Sequence, residues 1–417
     1  MTQNPNIVLI VADDMGYGDC GCYGSDRIAT PWIDAIAAQG IRFTDFHSNG
    51  AVCSPTRAAL LTGRYQQRCG IGGVITAANH RHVGLPLEET TFAELLRAAG
   101  YRTALFGKWH LGYERQFNPS RRGFDEFRGF VSGNIDYKSH IDQVGKEDWW
   151  VADDLLPEDG YTTDLVTEHG VRFITQNHDR PFCLYLAHEC PHYPYQGPTD
   201  DAYRTPGSPD PVLGPREDKE QAYKEMMQCL DAGIGRVVDT IASLGLENDT
   251  LIFFFSDNGP SGPGSAGPLR GGKGTVWEGG HRVPAVACWP GVIPAGTQTA
   301  TPGMGMDLFS TMMAIANVSI PEACQLDGEN LMPTMTGKQE TIRRVLFWRH
   351  GKQKAVRDGG WKLVVDGAGG GRVELFNLTE DLAESRNLAS AHPDIADALL
   401  HTLAAWEEEV STRKQLT

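Results

Sequence analysis

The run Asn6–Ala12, NIVLIVA, is apolar at every position after its first and ends on two aspartates, Asp13 and Asp14. A strand without polar alternation has no face for water, so both of its faces must be covered. Four more runs share this character: Thr103–Gly107, Phe182–Ala187, Thr250–Ser256 and Val283–Trp289. Helix-like stretches separate them: Pro31–Gln39, Thr91–Gly100, Tyr161–Asn177 and Glu220–Leu244. Strands alternating with helices are the pattern of layered α/β folds, where crossover helices blanket a sheet whose strands run mostly one way. The expected fold class is therefore α/β, a large, mainly parallel mixed sheet sandwiched by helices.

The character of the chain changes near Leu346. Strand-like Trp361–Val365 and Arg372–Leu378 flank Gly367–Gly371, an expected hairpin, and the amphipathic stretch Pro393–Val410 follows. This divides the 417 residues into an expected catalytic domain, 1–345, and a small α+β subdomain, 346–417. Gln196–Arg216, rich in Pro, Gly and Asp, reads as a long surface loop. A formal charge of −16 disfavours a nucleic-acid partner. No apolar run approaches a membrane span, so no membrane partner is expected. The opening MTQNPNIVLIVADD has no basic region, apolar region and cleavage site, which gives a cytoplasmic expectation. Nine cysteines lack paired metal spacing and are expected as reduced thiols; Cys183 and Cys288, inside apolar runs, read as small buried hydrophobes.

Chemistry concentrates at a few places. In CSPTRAALLTGR, Pro55 suits a first helical turn, Ser54 is the expected cap, and Gly63 suits the end. Cys53 would then stand at a helix N-terminus, with Arg57 four residues on and on the same side. Three residues between Cys and Arg are too few to wrap an oxyanion as a thiolate phosphatase loop does. Asp13 and Asp14 follow one strand, and Asp257 and Asn258 follow another. Ligands bind beyond the carboxyl ends of strands in open α/β sheets, so the two pairs are expected to converge on one hard cation, Ca²⁺ or Mg²⁺. Lys108 and His110 share one face of an extended segment, FGKWHLG. His192 follows another strand, in PHYP, and by itself reads as structural. Gly267–Lys273 approaches a phosphate-binding loop, but Gly274 stands where Ser or Thr must be, so a nucleotide site is rejected.

Taken together, NIVLIVADDMGYGD, CSPTRAALLTGR, GKWHLG, PHYP, FSDNGP, GGKGTVWEGG and ELFNLTEDLAESRNLA resemble the type I sulfatases of the alkaline-phosphatase-like superfamily. Within that family the flavour is of the group of arylsulfatase A and N-acetylgalactosamine-6-sulfatase. The resemblance implies that a sulfatase-maturing enzyme oxidises Cys53 to formylglycine. It implies that Asp13, Asp14, Asp257, Asn258 and the side chain derived from Cys53 hold Ca²⁺. Arg57 would support the aldehyde hydrate, while Lys108, His110, His192 and Lys273 hold the sulfate and assist proton transfer. Asp257 would accept the proton of the hydrate, which attacks sulfur and forms a covalent sulfate. The expected function is hydrolysis of sulfate monoesters of small sulfated substrates, carbohydrates foremost. The rival readings are a phosphomonoester or phosphonate-ester hydrolase and a non-catalytic binder of sulfated glycans.

Gly129–Trp150 is expected to form the pocket rim, with Tyr137, Trp149 and Trp150 stacking on a sugar beside Asn134, Asp136, His140 and Asp142.

Overall fold

A computed structural model describes residues 4–210, 213–338, 343–367, 371–411, 413 and 415–416. Its strands are, in chain order, β1 (Asn6–Ala12), β2 (Ile41–Phe43), β3 (Phe46–His47), β4 (Arg102–Lys108), β5 (Glu126–Phe130), β6 (Trp150–Val151), β7 (Asp154–Leu155) and β8 (Phe182–Ala187). There follow β9 (Thr250–Ser256), β10 (Ala285–Cys288), β11 (Thr297–Thr299), β12 (Gly303–Met304), β13 (Val345–His350), β14 (Gln353–Asp358), β15 (Trp361–Asp366) and β16 (Arg372–Asn377). The helices are α1 (Pro31–Gln39), α2 (Cys53–Thr62), α3 (Phe92–Ala98), α4 (Thr162–Asn177), α5 (Lys219–Ser243), α6 (Glu278–His281), α7 (Asp307–Ile315), α8 (Met332–Met335) and α9 (Pro393–Val410).

Ten strands make the main sheet, in the order β11-β2-β10-β9-β1-β8-β4-β5-β6-β7. The five central strands, β9 to β5, are parallel. Successive side chains of β1 point to opposite faces. Ile7, Leu9 and Val11 join a core with Leu60 of α2, Phe92 of α3 and Phe309 of α7. Val8, Ile10 and Ala12 join a second core with Ile33 of α1, Phe173 of α4 and Met226 of α5. Helices thus cover both faces, which is why the central strands carry no polar alternation. The run Val283–Trp289 yields a shorter strand, β10, antiparallel to both of its neighbours. Cys183 and Cys288 are buried in β8 and β10.

A second sheet, β13-β14-β15-β16, is antiparallel throughout and packs under α9. The hairpin at Gly367–Gly371 joins β15 to β16, though its turn residues 368–370 lie outside those described. Two of the four strands, β13 and β14, escaped the sequence reading; QKAVRD carries three charged residues among its six, and VLFWRH has no polar alternation to mark a half-buried strand. Arg357 of β14 is nevertheless buried, paired with Asp45 of the main domain at 2.7 and 2.6 Å. No helix among the described residues is long and apolar enough to cross a membrane.

Candidate active site

Parallel pairing of β1 with β9 places Ala12 beside Ser256, so Asp13–Asp14 and Asp257–Asn258 leave the sheet side by side. Asp14 has φ +65°, a left-handed turn that folds the chain back over the strand ends. Its amide lies 3.4 Å from Asp257 Oδ1. α2 begins at Cys53 and carries its N-terminus onto this point, with Cys53 Sγ 3.5 Å from Asp13 Oδ1. The cap of α2 is the backbone of Val52, and Ser54 makes no cap; its hydroxyl accepts the Ile75 amide at 3.1 Å instead. Gly63 closes the helix at φ +67°, with its amide on Ala59 O.

Arg57, one turn into α2, is fully buried and ties the pieces together. Its guanidinium donates to Asp13 Oδ2 at 3.1 Å, to Asp257 Oδ2 at 3.0 and 3.2 Å, and to Lys108 O at 3.0 Å. Lys108, at the end of β4, donates to Asp13 Oδ2. Lys273 reaches Asp14 Oδ1 at 2.6 Å. His192 Nε2 lies 3.7 Å from Asp14 Oδ2. His110 sits at φ +58° with Nε2 3.1 Å from Ile75 O, and its buried Nδ1 has no partner. The sequence-predicted residues are thus gathered around one centre by the ends of β1, β4 and β9, the start of α2, and the loops that carry His192 and Lys273.

The electrostatics follow from burial and near-balance of charge. Burial raises the Asp13 carboxyl, but Lys108, His192, Arg57 and Lys273 outweigh it and hold the group well below the usual carboxylate range. Burial and the Asp13 charge push Asp257 up to about 7. Burial raises Asp14 too, against the pull of Lys273. The Cys53 thiol is pushed up to about 12 by burial and by Asp13. His110 and His192 are driven well below the ordinary imidazole value, by burial first and then by Lys108 and Lys273 respectively.

The donor set could hold a metal ion. Asp13, Asp14, Cys53 and His192 offer ligand atoms within 4.8 Å of one another. Asp14 Oδ2 and Asn258 Oδ1 are buried acceptors without a partner, and stranded acceptors of this kind are costly unless something donates or coordinates. Three carboxylates balance Arg57, Lys108 and Lys273 in charge, so a divalent ion leaves the site positive inside an acidic chain. His192 enters this cluster, where the sequence reading gave it sulfate binding and proton transfer but no ligand role, while Asp257 adjoins it through Arg57 and the Asp14 amide. A second cluster, His47, Glu278 and His281, also has ligand-like spacing. There Lys362 already supplies the positive charge, 2.9 Å from Glu278 and 3.1 Å from His281.

A cavity of about 560 Å³ opens above the centre and is lined by Cys53, His110, His192, Lys273, Tyr113 and Asn134 among others. The wall formed by residues 74–79, which follows α2, carried no signal in the sequence. The expected aromatic rim is corrected here. Tyr137 and Trp149 are buried, and Trp150 is half-buried against the core. Each aromatic polar tip is engaged by the protein: Tyr137 Oη donates to His192 O at 2.9 Å, Trp149 Nε1 to Glu158 at 3.0 Å and Trp150 Nε1 to Asp148 at 2.7 Å. Asp136 accepts backbone amides of Lys138, Ser139, Tyr203 and Arg204. These residues brace the His192 loop and the neighbouring turns; the part of the segment that faces the cavity is Ser132–Asn134 with Gln143 and Val144.

A family model described as Sulfatase matches residues 5–318. Arylsulfatase A of Homo sapiens is 38% identical over 84% of this chain and 71% of its own. N-acetylgalactosamine-6-sulfatase of Mus musculus is 36% identical over 86% of this chain and 72% of its own. Among solved structures, Ps i-CgsB superposes with a TM-score of 0.88 at 32% identity, covering 99% of this chain and 94% of that one. Its complex with k-i-k-neocarrahexaose gives 0.87 at 31% identity, with the same coverage.

Proposed function

The chain belongs to the sulfatase family and is a sulfuric ester hydrolase, and from that premise we propose that it desulfates carbohydrates at a formylglycine made from Cys53, beside a calcium ion. One observation carries the reading. Cys53 heads a buried helix beneath an open cavity, with Arg57, Lys108 and Lys273 around the same centre. The CSPTR sequence around it is suited to a maturing enzyme. Relatives named for a sugar sulfate, and a neighbour solved with a neocarrahexaose, support the carbohydrate part.

Asp13, Asp14, Asp257, Asn258 and the side chain at position 53 would hold the ion. The all-oxygen character of the first four favours Ca²⁺ or Mg²⁺ over zinc. When bound, the ion supplies Lewis-acid stabilisation of charge on sulfate oxygens, and formylglycine supplies a hydroxyl nucleophile. The chain's own groups do the rest. Arg57 fixes Asp13 and Asp257 so that neither carboxylate swings toward the cavity. Lys108 and Lys273, paired with Asp13 and Asp14, would turn toward an arriving sulfate monoester, whose charge spreads in the transition state. His192 and Lys273 lie on the cavity side, where a leaving oxygen needs a proton. His110 Nδ1 is buried and unpartnered, in the lining of the cavity that Cys53 also reaches, and can accept one.

The test is kcat/KM on 4-nitrocatechol sulfate, N-acetylgalactosamine 6-sulfate, a steroid sulfate and a phosphate monoester. The sugar sulfate should lead the two non-sugar natural esters. A steroid sulfate that outruns every sugar overturns the carbohydrate reading, and a faster phosphate ester overturns the preference for sulfur.

A further inference from the structure

A second sizeable cavity lies away from the active site. It encloses about 740 Å³ and shares no lining residue with the active-site cavity. Asp45 and Arg282 reach it from the main domain, Arg357 and Trp361 from the C-terminal sheet, and Arg343 and Arg344 from the segment joining the two. Its volume falls within the roughly 300–1,000 Å³ typical of small-ligand sites.

Three features give it a chemistry. First, four guanidinium groups line it in a chain of net charge −16; Arg282, Arg344 and Arg357 are paired with Glu278, Asp307 and Asp45, which leaves Arg343 as the uncompensated one among the described residues. Second, the pairing among them fixes their positions without using every donor. Asp45 grips Arg357 at 2.6 and 2.7 Å, and Asp307, behind the wall, grips Arg344 at 2.6 Å. Arg344 Nε is left buried with no acceptor. Arg343 is exposed and has no ion pair among the described residues. Third, half-buried Trp361 lines the cavity beside Leu346 and Leu378, braced by His392 at 5.1 Å between ring centroids. Guanidinium forks bind sulfate and carboxylate. An indole edged by aliphatic side chains offers a flat apolar face to a sugar ring. A purely apolar ligand has no use for the arginines, and the field of an acidic chain disfavours a nucleic acid.

We propose that this inter-domain cavity is a second, non-catalytic site for an anionic saccharide, with the ring on Trp361 and its acid group on Arg343 and Arg344. Such a site would hold a sulfated glycan at a place distinct from the bond being cut. The choice of a sulfated sugar as probe rests on the substrate reading above; the site itself does not.

Calorimetric titration of the wild-type chain with short-chain dextran sulfate, with neutral dextran and with inorganic sulfate tests it. Dextran sulfate should bind, more weakly as salt rises, and neutral dextran should not. Arg343→Glu, alone and with Trp361→Ala, should weaken dextran sulfate binding by roughly tenfold or more, the scale of one lost charge-assisted contact. Arg343→Gln guards against a folding artefact, since it should weaken binding in the same direction with an unchanged thermal melt. Turnover of 4-nitrocatechol sulfate should stay at the wild-type level in all three. Equal affinity in wild type and variants overturns the proposal, as does equal binding of neutral dextran. Loss of 4-nitrocatechol sulfate turnover in well-folded variants also overturns it, because the residues would then serve the active site. If the substrate reading alone is wrong, the pattern differs: the variants lose dextran sulfate binding while no sugar sulfate is hydrolysed.

Discussion

Replacing Lys362 by Met removes the positive centre of a fully buried polar cluster that joins the two sheets. The Lys362 ammonium lies 2.9 Å from Glu278 Oε1, 3.1 Å from His281 Nε2 and 2.9 Å from Glu384 Oε1, the last an ion pair without hydrogen-bond alignment. Glu278 keeps Arg282 at 3.0 Å, but Glu384 loses its only cationic neighbour within ion-pair distance among the described residues. Breaking a buried pair by deleting one partner costs about 3–5 kcal/mol. An unfolding entropy of about 2.1 cal/mol/K per residue over 417 residues is about 0.9 kcal/mol/K, so Lys362→Met should lower Tm by about 3–6 °C. Burial raises the Glu278 carboxyl, yet Lys362 leads a set of cations that hold it well below its ordinary value of 4.5. A carboxyl lowered by folding lends stability above its unfolded pKa and loses it as pH falls through the folded one. The gap between wild type and Lys362→Met should therefore close in acid. Scanning calorimetry at pH 7 and at pH values stepped down well below 4.5 reads both effects, with Lys352→Met, in the exposed turn after β13, as the control. Adding Glu384→Gln to Lys362→Met should recover part of the loss by removing the stranded charge. A Tm within 1 °C of the control would refute the claim that this cluster binds the C-terminal sheet to the catalytic layer.

Two further outcomes follow from the site and its supporting helix. Asp13→Asn should strip the divalent ion, read by elemental analysis, and lower sulfatase turnover by at least ~100-fold; one ion retained per chain would contradict the ligand assignment. Gly63→Ala forces a side chain into φ +67° and sets a Cβ 2.9 Å from Phe309 and Leu326. It should cost about 2–4 kcal/mol, seen as a lower denaturant midpoint with kcat unchanged in the folded fraction.

The layers and the chemistry were legible in the sequence for a shared reason: each depends on residues close in the chain. β1, β8 and β9 occupy the runs Asn6–Ala12, Phe182–Ala187 and Thr250–Ser256 because unbroken apolar strands have one stable place, the middle of a covered sheet. Asp13 and Asp257 could be paired on paper because each follows such a strand. The misreadings concern residues whose environment is set by distant chain. Trp149 and Tyr137 look like a binding rim by composition, yet Glu158 and the His192 carbonyl draw their polar tips inward. Ser54 has the chemistry of a cap, but the amide it serves is that of Ile75, on the next loop. The Arg357–Asp45 and Lys362–Glu278 pairs span separations of 312 and 84 residues, and no local spacing announces them. β14 was lost for the same cause, since the inward charge of Arg357 conceals the apolar alternation.

The most direct measurement is the mass of the tryptic peptide containing residue 53, taken on the same preparation used for sulfatase kinetics. Conversion of cysteine to formylglycine lowers that mass by about 18 Da. The account predicts that kcat per chain rises in proportion to the converted fraction, across preparations made with and without a maturing enzyme, and that Cys53→Ala has no activity at any preparation. Full turnover from chains whose Cys53 is wholly unmodified would contradict it.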